Sequence, residues 1–108
     1  AAARRDDGDG GAGKGVNRKD QRKAAAEARE KSQGLRQRAK AAEAELARLT
    51  TQRSAIDQAM FDPGSAEPAL AKLTMTELMI RRADIEARIE AAEADWLEAS
   101  EALDAFAA

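Results

Sequence analysis

The chain contains no cysteine and no histidine among its 108 residues. It therefore lacks disulfides and zinc sites built on thiolate or imidazole ligands. Its aromatic residues are limited to Phe61, Trp96 and Phe106. No apolar run approaches the roughly 18 residues that a membrane span requires, and no secretory signal is recognisable. These absences predict a cytoplasmic protein that does not enter the membrane.

Alanine, glutamate, leucine, arginine and lysine dominate the composition, which is typical of long helices or a coiled coil. The formal net charge is only −2, but its two signs are separated along the chain. Residues 1–40 carry twelve basic and six acidic side chains, whereas residues 41–108 carry six basic and fourteen acidic ones. Such asymmetry indicates an interaction surface. The first residue is not Met, which favours a piece of a larger protein.

The first 16 residues hold five of the seven glycines and no apolar periodicity, so they are predicted to form a flexible linker. Within them, Gly8–Gly15 resembles a phosphate-binding loop. Gly15, however, occupies the position where that motif has Ser or Thr to hold Mg²⁺. No strand precedes the motif either, so we expect no nucleotide or other cofactor to bind this chain.

Two series of apolar residues follow the alternating steps of three and four that mark a coiled-coil seam. Each series is interrupted once by arginine, at Arg53 and at Arg82, for which snorkelling or register specification is favoured over contact with an anion. The first series comprises Leu35, Ala39, Ala42, Leu46, Leu49, Ile56 and Met60. The second comprises Met75, Leu78, Ile85, Ile89, Ala92, Trp96, Ala99, Leu103 and Phe106.

The predicted fold class is all-α: an antiparallel two-helix coiled-coil hairpin preceded by a short basic helix and a disordered N-terminal linker. The linker covers residues 1–16 and the helical domain residues 17–108. Within that domain we expect a basic helix over about 17–32 and a coiled-coil helix over about 35–60. A turn at 61–68, marked by Asp62-Pro63, precedes a second coiled-coil helix over about 69–106.

The start of the second long helix is open between two sequence signals. Ser65 and Pro68 favour an early start, whereas Thr74 and Glu77 have capping-box spacing and favour a later one. The register of the hairpin is predicted by aligning its seams so that facing residue numbers sum to 131. Leu46 then meets Ile85, and Leu35 meets Trp96, for which a core role is expected.

This register also brings charged side chains together across the hairpin. It predicts ion pairs of Arg38 with Asp95, Glu45 with Arg88, Arg36 with Glu93 and Asp57 with Lys72, and one repulsive contact between Glu43 and Glu86. Each exposed pair contributes at most a few tenths of a kcal/mol, about the value of a helix-surface pair. The ion pairs therefore support the register without determining it.

The most basic stretch, residues 17–31, reads NRKDQRKAAAEAREK and carries six cations against three carboxylates. On a helix, Arg18, Arg22 and Arg29 fall within about 40° of one another and form a stripe. Such a stripe suits the phosphates of a nucleic-acid backbone, although a solvated helix face has the same pattern. No aromatic residue interleaves the cations, so stacking on bases is not expected there.

The order of these features resembles the C-terminal domain of ABC-F proteins of the Uup type, over roughly residues 17–106. The resemblance rests on the Lys-x-Gln-Arg element at Lys19–Arg22, the Asp62-Pro63 turn, and Trp96 with its acidic neighbours. The family usually has a proline before its first long coiled-coil helix, whereas this chain has Gly34. A joint near Gly34 is therefore expected, because glycine can end a helix through a left-handed cap.

The resemblance implies a C-terminal helical hairpin that binds DNA and assists ATPase domains of a parent protein, which would hold ATP and Mg²⁺. The chain itself is expected to be a monomer. Binding of rRNA on the ribosome, or docking on the parent ATPase domains, are the alternatives. An enzyme is not expected, because an open two-helix rod offers no pocket that would tune a catalytic group. The predicted phosphate-binding residues are Arg18, Lys19, Arg22, Lys23, Arg29, Lys31, Arg36, Arg38 and Lys40.

Overall fold

The computed structural model describes the backbone of residues 11–107 and the side chains of residues 17–106. Helix α1 spans Gly11–Phe61, a 3₁₀ turn spans Pro63–Ser65, the short helix α2 spans Pro68–Ala71, and α3 spans Met75–Ala107. No strand occurs in these described ranges. The predicted all-α class is confirmed, and the two long helices form the predicted hairpin over residues 35–107.

The chain divides into two compact units, one ending at Gly34 and the other beginning at Leu35. In the first unit the structure describes one helical stretch, which begins at Gly11. The linker predicted over residues 1–16 overlaps this stretch at residues 11–16, which lie within the bounds of α1. Residues 1–10 lie outside the described part of the chain.

Gly34 lies within the bounds of α1, and the boundary between the two units also falls directly after it. The joint expected near Gly34 therefore stays a prediction. A glycine in a helix interior costs only about 1 kcal/mol relative to alanine. The helical residues on both sides of Gly34 are good helix formers, and they offset that cost. A Cβ added at Gly34 would have no neighbour within 4 Å, so close packing does not require glycine here.

The hairpin core follows the heptad pattern read from the sequence. Leu49 and Ala99 are fully buried, and the other buried seam residues are Ala42, Ile56, Leu78, Ile85, Ile89 and Ala92. Two predicted seam residues are instead exposed, Met75 by 51% and Phe106 by 45%. Ala59, which was not predicted, is buried in the same cluster. Burying such aliphatic side chains stabilises the hairpin by about 1.5–3 kcal/mol for each of the large ones.

The connection between the long helices contributes to this core. Ala66, Leu70 and Leu73 are half-buried and pack against it. The turn after α1 is held by Ser65, whose hydroxyl donates to the Asp62 carboxylate at 2.8 Å. The predicted turn at 61–68 therefore extends further along the chain than expected.

The capping box determines where α3 begins. The backbone N–H of Glu77 donates to Thr74 Oγ1 at 3.1 Å, and the Thr74 N–H donates to Glu77 Oε1 at 2.9 Å. These reciprocal bonds satisfy donors that the first helical turn leaves unpaired. Pro68 begins only the four-residue α2. Of the two starts left open by the sequence, the later one is observed, and a second helix beginning near 69 was wrong.

The register of the hairpin differs from the predicted one by about one heptad. Three cross-hairpin hydrogen bonds define it: Arg53 to Glu86, Arg82 to Asp57, and Trp96 to Glu43. In each of these three pairs the two residue numbers add up to 139, not to a value near 131. The bonds of Arg38 to Asp95 and to Glu98, near the other end of the hairpin, give 133 and 136. A heptad slip keeps every apolar seam position facing the core, so the apolar pattern alone cannot exclude it.

The two seam arginines explain which register is adopted. In the predicted register Arg82 would lie opposite Leu49, beside the like-charged Arg48. In the observed register Arg82 Nε donates to Asp57 Oδ1 at 2.6 Å, and Arg53 Nη1 donates to Glu86 Oε1 at 2.6 Å. Each guanidinium thus leaves the seam towards a carboxylate, because a charge left unpaired near the core is costly.

Two of the predicted ion pairs and the predicted repulsive contact are replaced. Asp57 binds Arg82, not Lys72. Glu45 and Arg88 each bind a residue of their own helix, Arg48 and Asp84 respectively. Glu86 binds Arg53, and Glu43 accepts a bond from Trp96, so these two glutamates do not repel each other. The predicted pair of Arg38 with Asp95 is confirmed.

A double-mutant cycle distinguishes the two registers. We expect Asp57→Asn and Arg82→Met to destabilise the hairpin by up to about 1 kcal/mol each. The double variant should lose less than their sum, by about 0.5 kcal/mol, because both changes remove the same contact. Urea unfolding followed by circular dichroism measures this. The matched cycle of Asp57→Asn with Lys72→Met should be additive, and coupling in that cycle instead would restore the predicted register.

Substitution at Gly34 tests the continuity of α1. We expect Gly34→Ala to stabilise the helix locally by about 0.5–1 kcal/mol, since alanine is the better helix former and meets no neighbour there. Amide hydrogen exchange around residue 34 should slow roughly two- to fivefold. The control Gln33→Ala should have a smaller effect, because glutamine is already a good helix former. Faster exchange in Gly34→Ala would show that glycine is needed for a joint.

Candidate nucleic-acid interface

Residues 17–31, called the basic segment below, form part of α1 and present all their cations to solvent. The six basic side chains are exposed: Arg18, Lys19, Arg22, Lys23, Arg29 and Lys31. Because the segment is α-helical, Arg18, Arg22 and Arg29 fall within about 40° around the helix axis. Asp20 and Glu27 fall on the opposite side of the helix by the same periodicity. The predicted cationic stripe is therefore present.

These six cations have no carboxylate bound to them. Among the side chains that the structure describes, none of the six takes part in an ion pair or a side-chain hydrogen bond. With three carboxylates in the same stretch, the basic segment has a net charge of +3. The segment also buries no side chain completely, so its charge is available to a partner in solution.

In the hairpin, by contrast, Arg38 and Arg82 are bound to carboxylates. Arg38 Nε donates to Asp95 Oδ1 at 2.6 Å, and its Nη2 binds Glu98. These hydrogen bonds, first to Asp95 and then to Glu98, raise the pKa of Arg38, against partial desolvation. The bond to Asp57 likewise raises the pKa of Arg82. Both guanidinium groups stay positively charged, and both donate hydrogen bonds to carboxylates of the hairpin.

Other arginines of the hairpin also form ion pairs with nearby carboxylates. Arg53 binds Glu86 across the hairpin, and Arg48 and Arg88 bind carboxylates on their own helices. Hairpin arginines bound in this way have less to gain from an external phosphate, because a new contact first has to replace the carboxylate. Each exposed ion pair contributes little free energy. Breaking that pair to bind a phosphate nevertheless opposes phosphate binding.

The structure therefore divides the nine predicted phosphate-binding residues. The six in the basic segment share one exposed helix. Arg36, Arg38 and Lys40 belong to the other unit of the chain. Arg38 is bound to two carboxylates, and Arg36 also has an interaction partner. Lys40 is exposed. Lys40 likewise has no ion pair among the described side chains, but only the six of the basic segment lie together on one such stretch of helix.

Sequence reasoning missed a groove beside Trp96. The predicted core position of this residue is only partly correct, since its side chain is half-buried and its indole N–H donates to Glu43 Oε2 at 3.0 Å. Leu46, Glu93 and Leu97 line the groove together with Glu43 and Trp96. The sequence did contain a signal for this groove, namely Trp96 on the seam with an acidic residue on the opposite helix. Recognising that Glu43 is this residue required the correct register.

Two other kinds of site are absent from the described residues. Within residues 17–106, no group of three or more acidic side chains is placed to hold a metal ion. In the same part of the chain, no helix is both long and apolar enough to cross a membrane. Comparison of the chain with protein-family models, curated proteins and solved structures finds no match. The resemblance to ABC-F proteins therefore stays a prediction.

Proposed function

We propose that this chain is a non-catalytic nucleic-acid-binding module whose basic segment contacts the phosphate backbone, with DNA as the preferred ligand. The observation that supports this most is the contrast within the molecule. Five arginines of the hairpin, Arg38, Arg48, Arg53, Arg82 and Arg88, are bound to carboxylates, whereas the six cations of the basic segment are exposed and, among the described side chains, bind none. A polyanion supplies the negative charge that the segment itself lacks.

The chemistry of the segment favours backbone contacts over base recognition. Arg18, Arg22 and Arg29 are spaced along about 16 Å of helix, at 1.5 Å per residue. Guanidinium groups bind phosphate oxygens in a bidentate manner, and each neutralised phosphate releases condensed counterions. No aromatic residue lies in the segment to stack on a base, and its only other side chains are small or polar. Binding should therefore depend little on base sequence.

The resemblance adds a proposal about cellular context. An ABC-F parent would supply ATPase domains upstream, and this chain would act as the module that holds nucleic acid near them. The predicted alternatives are rRNA on the ribosome and docking on the parent ATPase domains. DNA duplexes, branched DNA and ribosomes compared as ligands at one salt concentration would separate these proposals. Preferential binding to ribosomes would replace DNA by rRNA, while binding to none would favour the docking module.

Salt dependence provides the direct test of phosphate binding. If four to six phosphates are neutralised, affinity for a duplex of arbitrary sequence should fall about 10²–10³-fold between about 50 and 200 mM salt. Fluorescence anisotropy with a labelled duplex measures this. We expect Arg18→Glu with Arg22→Glu to remove binding in about 50 mM salt, because two contacts become repulsive.

A matched control separates the basic segment from the overall charge. Lys72 and Arg81 are exposed cations of the hairpin, so Lys72→Glu with Arg81→Glu changes the net charge by the same amount. This control should keep most of the affinity of the unmodified chain. Equal loss in both double variants would show a general charge effect, and unchanged binding in Arg18→Glu/Arg22→Glu would refute the proposed interface. Circular dichroism checks that helicity is retained.

A further inference from the structure

The groove beside Trp96 is an apolar surface with acidic edges. Its apolar lining residues are Leu46, Trp96 and Leu97, of which Leu97 is 51% exposed. Glu43 and Glu93 line it as well, and both are exposed. The Glu43 carboxylate accepts the hydrogen bond from the Trp96 indole N–H, which links the two sides of the groove. An exposed apolar surface bordered by charge is typical of a protein contact site.

The acidic edge continues along α3. Glu90, Glu93, Leu97 and Glu101 recur at steps of three, four and four, so they lie on one face of the helix. In the described side chains, Glu90, Glu93 and Glu101 form no ion pair. This is the reverse of the situation in the basic segment, where the cations lack carboxylates. The groove therefore fits a helix that carries cations and small apolar side chains.

We infer that the groove binds the basic segment of a second copy of this chain. The argument is charge complementarity between two surfaces that each lack counter-charges. The segment also has the second feature that the groove requires, since Ala24, Ala25, Ala26 and Ala28 present methyl groups between the cations. Small side chains allow a helix to approach Leu97 and Trp96 closely, while arginine and lysine reach the carboxylates at the edge.

This self-association uses the same cations as nucleic-acid binding but does not rest on it. A copy whose basic segment lies in another copy's groove cannot offer those cations to phosphates, so the two ligands compete. The inference differs from the predicted monomer, and also from association through the heptad seams, which are already buried in the hairpin. It is tested in the absence of nucleic acid, so its failure and that of the proposed function are distinguishable.

Sedimentation of the complete chain is the first measurement. The weight-average mass should rise above the monomer value of 11.5 kDa with concentration at low salt. It should return to that value in about 1 M salt, where the Debye length is only about 3 Å. A constant monomer mass at low salt overturns the inference. Association that survives about 1 M salt also overturns it, because an apolar contact would then dominate.

Complementary charge reversals provide the sharper test. Arg18→Glu/Arg22→Glu alone should stay monomeric, and so should Glu90→Arg/Glu93→Arg alone. An equimolar mixture of the two variants should associate, because the groove of the first variant keeps its carboxylates and the segment of the second keeps its cations. A mixture that stays monomeric contradicts the inference. Lys72→Glu/Arg81→Glu should associate like the unmodified chain, and its loss of association would point to net charge alone.

Trp96 reports on the groove directly, since it is the only tryptophan in the chain. Its emission should shift to longer wavelength on dilution, as a departing helix exposes the ring to water. Emission that does not change while the mass falls would place the contact elsewhere. If Glu90→Arg/Glu93→Arg proves less helical, Glu90→Gln/Glu93→Gln keeps side-chain size, and it should weaken association while leaving the helicity unchanged.

Discussion

The pairing of Arg53 and Arg82 with carboxylates across the hairpin is the interaction on which this structure depends. Both arginines interrupt an apolar seam, and both donate at 2.6 Å to an acidic residue on the opposite helix. The apolar residues supply most of the stability, but they repeat every seven residues and accept more than one alignment. The arginine pairs do not repeat, so they select one alignment among those that bury the same aliphatic side chains.

The same pairing affects the distribution of available charge. Carboxylates of the hairpin bind its own arginines, as Asp95 and Glu98 do with Arg38. The basic segment has only three carboxylates, and none of them binds its cations within the described side chains. Two surfaces remain whose charged side chains form no ion pairs among the described residues. One is positive and lies on α1, and the other is negative and lies along α3. The proposals for nucleic acid and for a second copy both follow from this separation of charge.

Much of the fold could be predicted because the heptad pattern is local and regular. Leu49, Ile56, Ile85 and Ala99 were all expected in the core, and all are buried. The register could not be predicted from apolar spacing, since a slip of one heptad preserves every apolar contact type. The start of α3 was left open because two capping signals compete, and only the reciprocal Thr74 and Glu77 hydrogen bonds decide between them.

The candidate site was predictable in part for a similar reason. Helical periodicity placed Arg18, Arg22 and Arg29 on one stripe without any knowledge of tertiary contacts. The bonding of Arg38 to both Asp95 and Glu98 depends on the opposite helix, so its reduced availability could not be read from the stripe alone. Helical continuity at Gly34 could not be predicted, because a glycine signals either a cap or a tolerated helix interior.

The separation of charge is tested most directly by observing individual arginines during binding. Arginine Nε–H signals in nuclear magnetic resonance report on each guanidinium, and a short duplex of arbitrary sequence at low salt is the ligand. We predict that the signals of Arg18, Arg22 and Arg29 shift with added duplex, while those of Arg38, Arg53 and Arg82 stay in place. Shifts of the three hairpin arginines, with those of the basic segment unchanged, would contradict this account.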